Sequence, residues 1–188
     1  MKILNLYSGI GGNRKLWNEL GDCEITAVEN VPAIADIYHD FFPYDFIWSS
    51  PPCPSHSRFN FLTNQQEGKK VKYPDMNLYQ EIIYLKHWFK GKFVVENVIS
   101  YYNPLIPPIE SNNHYIWCNF SFSPMPNYVR GIKRKNEEDF VREKLVGFDL
   151  SKYKFPTKRF RRMLINNCVE PELGKHILFC AFNKTSLF

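Results

Sequence analysis

Three places in the chain put a reactive or ionisable side chain where the backbone must turn. The first is Cys53, inside Phe46–Asn60, FIWSSPPCPSHSRFN. The apolar run Phe46-Ile47-Trp48 predicts a buried strand. Pro51-Pro52 can neither extend a strand ladder nor enter a helix interior, so the chain must leave the strand stiffly. Cys53 therefore sits on a rigid elbow past a strand's carboxyl end, where α/β sheets place their chemistry. A thiol there is a candidate nucleophile. The plain alternative is a buried structural cysteine, the commoner fate of a lone one. Ser55, His56, Ser57, Arg58 and Asn60 then form a polar, basic stretch suited to a phosphate-bearing partner.

The second place is Glu96-Asn97, directly after the apolar run Phe93-Val94-Val95. A carboxylate at a strand end can work as a general acid or base, or simply be ion-paired. The third is Ser8-Gly9-Ile10-Gly11-Gly12, after the strand Lys2–Tyr7. A strand, a glycine turn and a helix let backbone amides approach a cofactor. A second strand, Glu24–Val28, ends in Glu29-Asn30. An acid roughly twenty residues beyond such glycines is where these folds hold ribose hydroxyls. In a parallel sheet the three strand ends share one edge. Thiol, carboxylate and cofactor pocket are then expected to face one crevice.

The elements that must position these groups follow from periodicity. Asn13–Leu20 predicts a helix with Leu16, Trp17 and Leu20 on one face, and Pro32–Phe42 another. Phe61–Tyr73 reads as a mobile loop. A helix capped by Asp75 or Asn77 runs to about Phe89, with Leu78, Ile82, Leu85 and Phe89 at helical spacing, and Gly91 is expected to end it. Pro104–Pro108 reads as a link and His114–Phe122 as a strand. Pro124–Lys135 is a basic loop and Glu137–Leu145 a short helix. Lys152–Arg162 is strongly basic, and a last helix runs from Pro171 to about Phe182. The alternation predicts an α/β fold with a mostly parallel, doubly wound sheet. Such a fold calls for another strand and crossover before Phe46, and the stretch from Tyr38 to Asp45 has no room for them.

The chain's 188 residues suit a single domain, 1–188, and its 44% hydrophobic content suits a real core. Net charge is +5, with the basic residues concentrated in the second half, which suits an anionic partner. The five cysteines are odd in number and lack metal-ligand spacing, so neither a zinc site nor a disulfide framework is expected. No run approaches membrane-spanning length and no leader is read at Met1–Asn5. The expected location is the cytoplasm of a bacterium or of a phage-infected host.

Taken in order, these motifs resemble those of the C5-cytosine DNA methyltransferases. Leu6-Tyr7-Ser8-Gly9-Ile10-Gly11-Gly12 is similar to the family's first motif, and Glu29 to its ribose-binding acid. Pro51-Pro52-Cys53 is similar to its nucleophile loop and Glu96-Asn97-Val98 to its Glu-Asn-Val. Asn167-Cys168-Val169 is similar to the late Asn-Ser-Val motif, whose following helix packs against the cofactor pocket. The resemblance implies a Rossmann-like class I S-adenosylmethionine-dependent methyltransferase fold. It also implies transfer of a methyl group from S-adenosylmethionine to cytosine C5 in duplex DNA. Cys53, Glu96 and Asn97 would be catalytic, with Cys53 attacking C6 as a thiolate of lowered pKa and Glu96 acting at N3. Tyr7, Gly9, Ile10, Gly11, Glu29, Asn30, Pro52, Asn167 and Val169 would bind the cofactor. Arg58, Asn60, Arg130, Lys133, Arg134, Lys158, Arg159 and Arg161 would face the nucleic acid.

The chain departs from the family pattern in three respects. The third strand, with the acid that contacts the adenine, is missing, so weakened cofactor binding is expected. Residues 120–162 leave space for only a vestigial target-recognition region. Asn112-Asn113-His114 stands where the family has an arginine motif. A tRNA cytosine-5 methyltransferase and a catalytically impaired nucleic-acid-binding relic of the family remain alternatives. A monomer or weak homodimer without metal is expected.

Overall fold

The computed structural model describes residues 1–29, 43–68, 70–126 and 146–182. Asn30, Arg130, Lys133, Arg134 and the helices expected over Pro32–Phe42 and Glu137–Leu145 lie outside the described residues. The chain divides into two compact units. One comprises Met1–Ser8 and Cys23–Tyr128, the other Gly9–Asp22 and Val129–Phe188.

The first unit is built on a sheet. Its strands are β1 (Lys2–Leu6), β2 (Glu24–Val28), β3 (Phe46–Ser49), β4 (Lys92–Val98), β5 (Ile109–Ser111) and β6 (His114–Cys118). Two helices belong to the same unit, α1 (Arg58–Asn64) and α2 (Asn77–Trp88). Among the described residues the strand order is β2-β1-β3-β4-β6-β5. The first four strands are parallel, and β6 runs antiparallel to both β4 and β5. The fold is thus mixed α/β, with a parallel half that is not a clean doubly wound sheet. The departure has a local cause. Asn112 and Asn113, both at positive φ (49° and 63°), are all that joins β5 to β6. A two-residue connection with two positive φ values makes a tight hairpin, and a hairpin can only be antiparallel. The chain steps from β1 outward to β2 on one side and later to β3 on the other. That leaves a switch point between the carboxyl ends of β1 and β3, the usual ligand crevice of open α/β sheets.

The α2 helix supplies much of the core. Leu78, Tyr79, Ile82 and Leu85 pack with Leu4, Leu6, Ile47, Phe93, Val95 and Trp117. Asp75 Oδ1 accepts the Asn77 amide at 3.0 Å near the start of α2. The helix ends at Trp88 with Phe89 as its extended C-cap, close to the expected end, and Gly91 lies beyond the cap. Gly91 serves a close approach instead: a Cβ there would sit 2.6 Å from the Asp45 carbonyl oxygen. That oxygen accepts the Lys92 amide at 2.9 Å and sets the β3–β4 register. The β6 strand stops at Cys118, short of Phe122, because the side chain of Asn119 takes over. Its Oδ1 accepts the Phe93 amide and its Nδ2 donates to the Gly91 carbonyl. The loop expected over Phe61–Tyr73 begins later, since Ser57 caps α1 by accepting the Asn60 amide.

The second unit carries α3 (Lys158–Asn166), capped by Thr157, and α4 (Pro171–Phe182). Half of the basic run is therefore helical. The helix expected over Asn13–Leu20 shrinks to a 3-10 turn, Trp17–Leu20. The amides of Lys15, Trp17 and Glu19 all bond three residues back, a tighter winding than the α-helix. Asn13 is pressed against α4, where a Cβ on Gly174 would collide with its carbonyl oxygen. Trp17 is fully buried and donates Nε1–H to the Gly174 carbonyl at 3.0 Å. Among the described residues no helix is long and apolar enough to cross a membrane.

Candidate active site

The elbow after β3 is fixed from several sides. The Cys53 carbonyl accepts the amides of His56 and Ser57 at 3.0 and 3.1 Å, closing a tight turn. The His56 carbonyl accepts the Tyr101 amide, and Ser57 bridges to Ser100. Inside the turn His56 is buried. Its Nδ1 lies 2.6 Å from the Tyr102 hydroxyl, which receives the Tyr79 hydroxyl of α2 at 3.1 Å. The turn that carries the thiol is thus tied to the helix that carries the core.

The β4 strand reaches the same place by register. Leu6, Ser49 and Val95 lie abreast across β1, β3 and β4, so Glu96 and Asn97 extend just beyond them. Alternation sends these two side chains to opposite faces. Asn97 donates Nδ2–H to the Pro51 carbonyl at 3.0 Å, a strut between β4 and the elbow. Glu96 is buried, and its Oε1 lies 2.6 Å from His114 Nδ1. The Cys53 thiol is pushed up to about 11, first by burial and then by the Glu96 charge, against a small opposing effect of a backbone hydrogen bond. The lowered thiol expected from sequence is therefore corrected: among the described residues burial and the Glu96 carboxylate outweigh the one opposing effect.

Two groups at this edge escape the sequence motifs. His114 comes to Glu96 through the β5–β6 hairpin, whose Asn112-Asn113 pair was the available signal. Glu81 of α2 is buried beneath the switch point and accepts hydrogen bonds from the hydroxyls of Ser49 and Tyr7, the latter at 3.3 Å. Burial pushes its carboxyl up to about 7, and the Ser49 and Tyr7 hydrogen bonds pull the other way. Its signal was spacing: position 81 falls on the apolar stripe 78, 82, 85.

The remaining sequence-derived residues are distributed as follows. In the first unit Tyr7 has positive φ (54°), and its hydroxyl is held by Glu81 and raised above its ordinary value by burial. Glu29 is exposed at the end of β2 and accepts from Ser8 Oγ at 3.4 Å. Pro52 and Arg58 are exposed. Asn60 is buried and donates to the Ser55 and Lys72 carbonyls, so its amide braces the segment after α1. Around α1, Phe59 and Tyr73 are about four-fifths exposed, with Lys70 and Lys72 near them along a shallow cleft. In the second unit Gly9 and Gly11 have positive φ (48° and 80°), and a side chain on Gly9 would meet nothing. Ile10 packs on the cluster of Val146, Leu150, Ile165 and Cys168. Gly12 has no room for a Cβ against Cys168 Sγ and the Val169 carbonyl. Val169 is buried, whereas Asn167 is the exposed C-cap of α3. Lys158 and Arg159 are exposed on α3, and Arg161 is half-buried.

The class defined by these observations is a mixed α/β protein with a thiol, two carboxylates and a histidine at the carboxyl edge of its sheet. No protein-family model matches the chain, and no curated protein matches it. Among solved structures it is similar to the Entamoeba histolytica methyltransferase EhMeth, at 16% identity and a TM-score of 0.32. The match covers 52% of this chain, which spans only 38% of that one.

Proposed function

We propose that this protein is an S-adenosylmethionine-dependent DNA (cytosine-5)-methyltransferase. One observation carries the reading above all. The Asn97 amide clamps the Pro51 carbonyl, joining the Glu-Asn strand end to the Pro-Pro-Cys elbow so that Cys53 feels the Glu96 charge. Cytosine C5 is a poor nucleophile. Addition of a thiolate at C6, with a proton delivered to N3, turns the ring into an enamine able to accept a methyl group at C5. Cys53 forms the bond to C6 and Glu96 gives the proton to N3. Loss of the C5 proton to water then expels the thiolate, and N3 returns its proton to Glu96, so that both side chains are restored. A proton on Glu96 serves twice: it is the one N3 receives, and its presence removes the charge that opposes thiolate formation. The target base must leave the duplex stack to reach Cys53. The exposed Phe59 and Tyr73, with Arg58, Lys70 and Lys72, suit a surface that stacks bases and meets phosphates.

S-adenosylmethionine, when bound, supplies the methyl group. The residues present fit it. In the first unit Glu29 offers an exposed carboxylate at a strand end, suited to ribose hydroxyls; in the second, Gly9 has positive φ and open space beside its backbone. Among the described residues β2 is an edge strand, with Glu24, Thr26 and Ala27 exposed. The third-strand acid missing from the sequence supports weak cofactor binding and a second reading, an impaired relic of the family. Transfer of labelled methyl to duplex DNA, tRNA or no substrate tests the proposal. Incorporation into duplex cytosine alone supports it. Incorporation into tRNA replaces DNA by RNA, and nucleic-acid binding without transfer to either substrate identifies a relic.

A further inference from the structure

We propose that His114 is a positioning residue that shares a proton with Glu96 and through it sets whether Cys53 is thiol or thiolate. The inference rests on the reading of Glu96 as proton donor to the base. Its own ground is geometric. The β5–β6 hairpin holds the imidazole rigidly: Asn112 and Asn113 take the left-handed conformation, and Ser111 Oγ and the Met125 carbonyl anchor the turn by accepting the amides of Met125 and Asn112. His114 pairs opposite Val98, one alternate position from Glu96 on the same face, and both side chains are buried. At 2.6 Å between Nδ1 and Oε1 the two groups exchange a proton without moving.

The charge balance then follows. Without the shared proton the pair is Nδ1–H donating to a carboxylate, and its net charge is −1. With the proton on either partner the pair is neutral. The neutral pair permits a thiolate at Cys53 and holds the proton that N3 receives. After that transfer the pair is again negative until N3 returns the proton as the thiolate leaves. Among the described residues Glu96 of β4 lies against His114, and Cys53 at the elbow feels the Glu96 charge. Glu110 on β5 and Tyr115 on β6 occupy the alternate positions, on the other face of the sheet.

The test reads the thiol and needs neither cofactor nor nucleic acid. Alkylation of Cys53 by iodoacetamide is followed from pH 5.5 to 10 by mass spectrometry of its peptide, with the other four cysteines as internal controls. Wild type is expected to give a two-step profile, as coupled titrations do. Glu96→Gln should give one step, with about tenfold faster alkylation at pH 7.5. His114→Asn keeps a donor near the position of Nδ1 but cannot store a proton, and should give one step displaced to higher pH. A single-step wild-type profile, or a His114→Asn profile that superimposes on wild type, overturns the inference. Methyl transfer is measured separately. Two-step coupling in a protein that transfers no methyl group upholds the shared proton and removes the proposed function, and transfer with no coupling does the reverse.

Discussion

Cys53 is a quiet thiol until a neighbouring charge is removed, and this shapes what its substitutions should do. Cys53→Ser should lower methyl transfer by about 10⁴-fold or more, because a hydroxyl without an adjacent base is a poor nucleophile. Far-UV circular dichroism should be unchanged. Glu96→Gln should lose about 10²–10⁴-fold in single-turnover rate, since glutamine can hydrogen-bond the base but cannot deliver a proton. The same variant should make Cys53 more reactive toward iodoacetamide. A fall in turnover with a rise in thiol reactivity separates a proton donor from a merely structural carboxylate, and a variant with wild-type turnover would make Glu96 structural. The meeting of Cys53, Glu96 and Asn97 at one sheet edge was legible because each stands beside a proline pair or a strand end. The direction of the thiol's shift was not, because burial is a property of the folded chain. His114 was hidden for a related reason: its meaning depends on which strand the hairpin pairs with.

At the scale of elements, α2 does more than fill the core. It lifts Glu81 against Ser49 and Tyr7, the ends of β3 and β1 at the switch point. The folded-state value of about 7 lies above the ordinary 4.5. Glu81 therefore favours the folded state fully below about pH 4.5 and loses that contribution as pH rises through 7, a change of about 3 kcal/mol. Glu81→Gln cannot ionise and should be more stable than wild type at pH 8 by about 1–3 kcal/mol, with the difference shrinking at pH 5. Urea unfolding at the two pH values decides it, and parallel behaviour of the two proteins would place the titration elsewhere. In the second unit Gly174→Ala should cost about 3 kcal/mol or more, because its Cβ would press on the Asn13 backbone, which cannot move as a side-chain tip can. An unchanged thermal midpoint would contradict that packing. The described strands and α2 were legible where apolar periodicity ran for several residues. The Asn13–Leu20 helix failed because packing of Asn13 and Trp17 against α4 outweighed local preference. The three-residue β5 was too short to show a period.

For the whole molecule the net charge of +5 and the exposed Lys158 and Arg159 would, under the proposed function, suit phosphates rather than base edges. Binding to duplex DNA should weaken with salt, with a slope near −0.9 in log affinity against log salt for each phosphate contacted. A flat response would remove nucleic acid as the partner. The mostly parallel half of the sheet was legible from strands that alternate with turns and helices. The antiparallel edge was not, because two asparagines decide it. The central claim is that Cys53 adds to cytosine C6, and trapping that adduct tests it most directly. The protein is incubated with S-adenosylmethionine and duplex DNA carrying 5-fluorocytosine, where the fluorine blocks the elimination that would release the enzyme. A covalent protein–DNA species that survives denaturation, maps to Cys53 and is absent from Cys53→Ala is the predicted result. An adduct at another cysteine, or methylated DNA with no adduct at all, would contradict it.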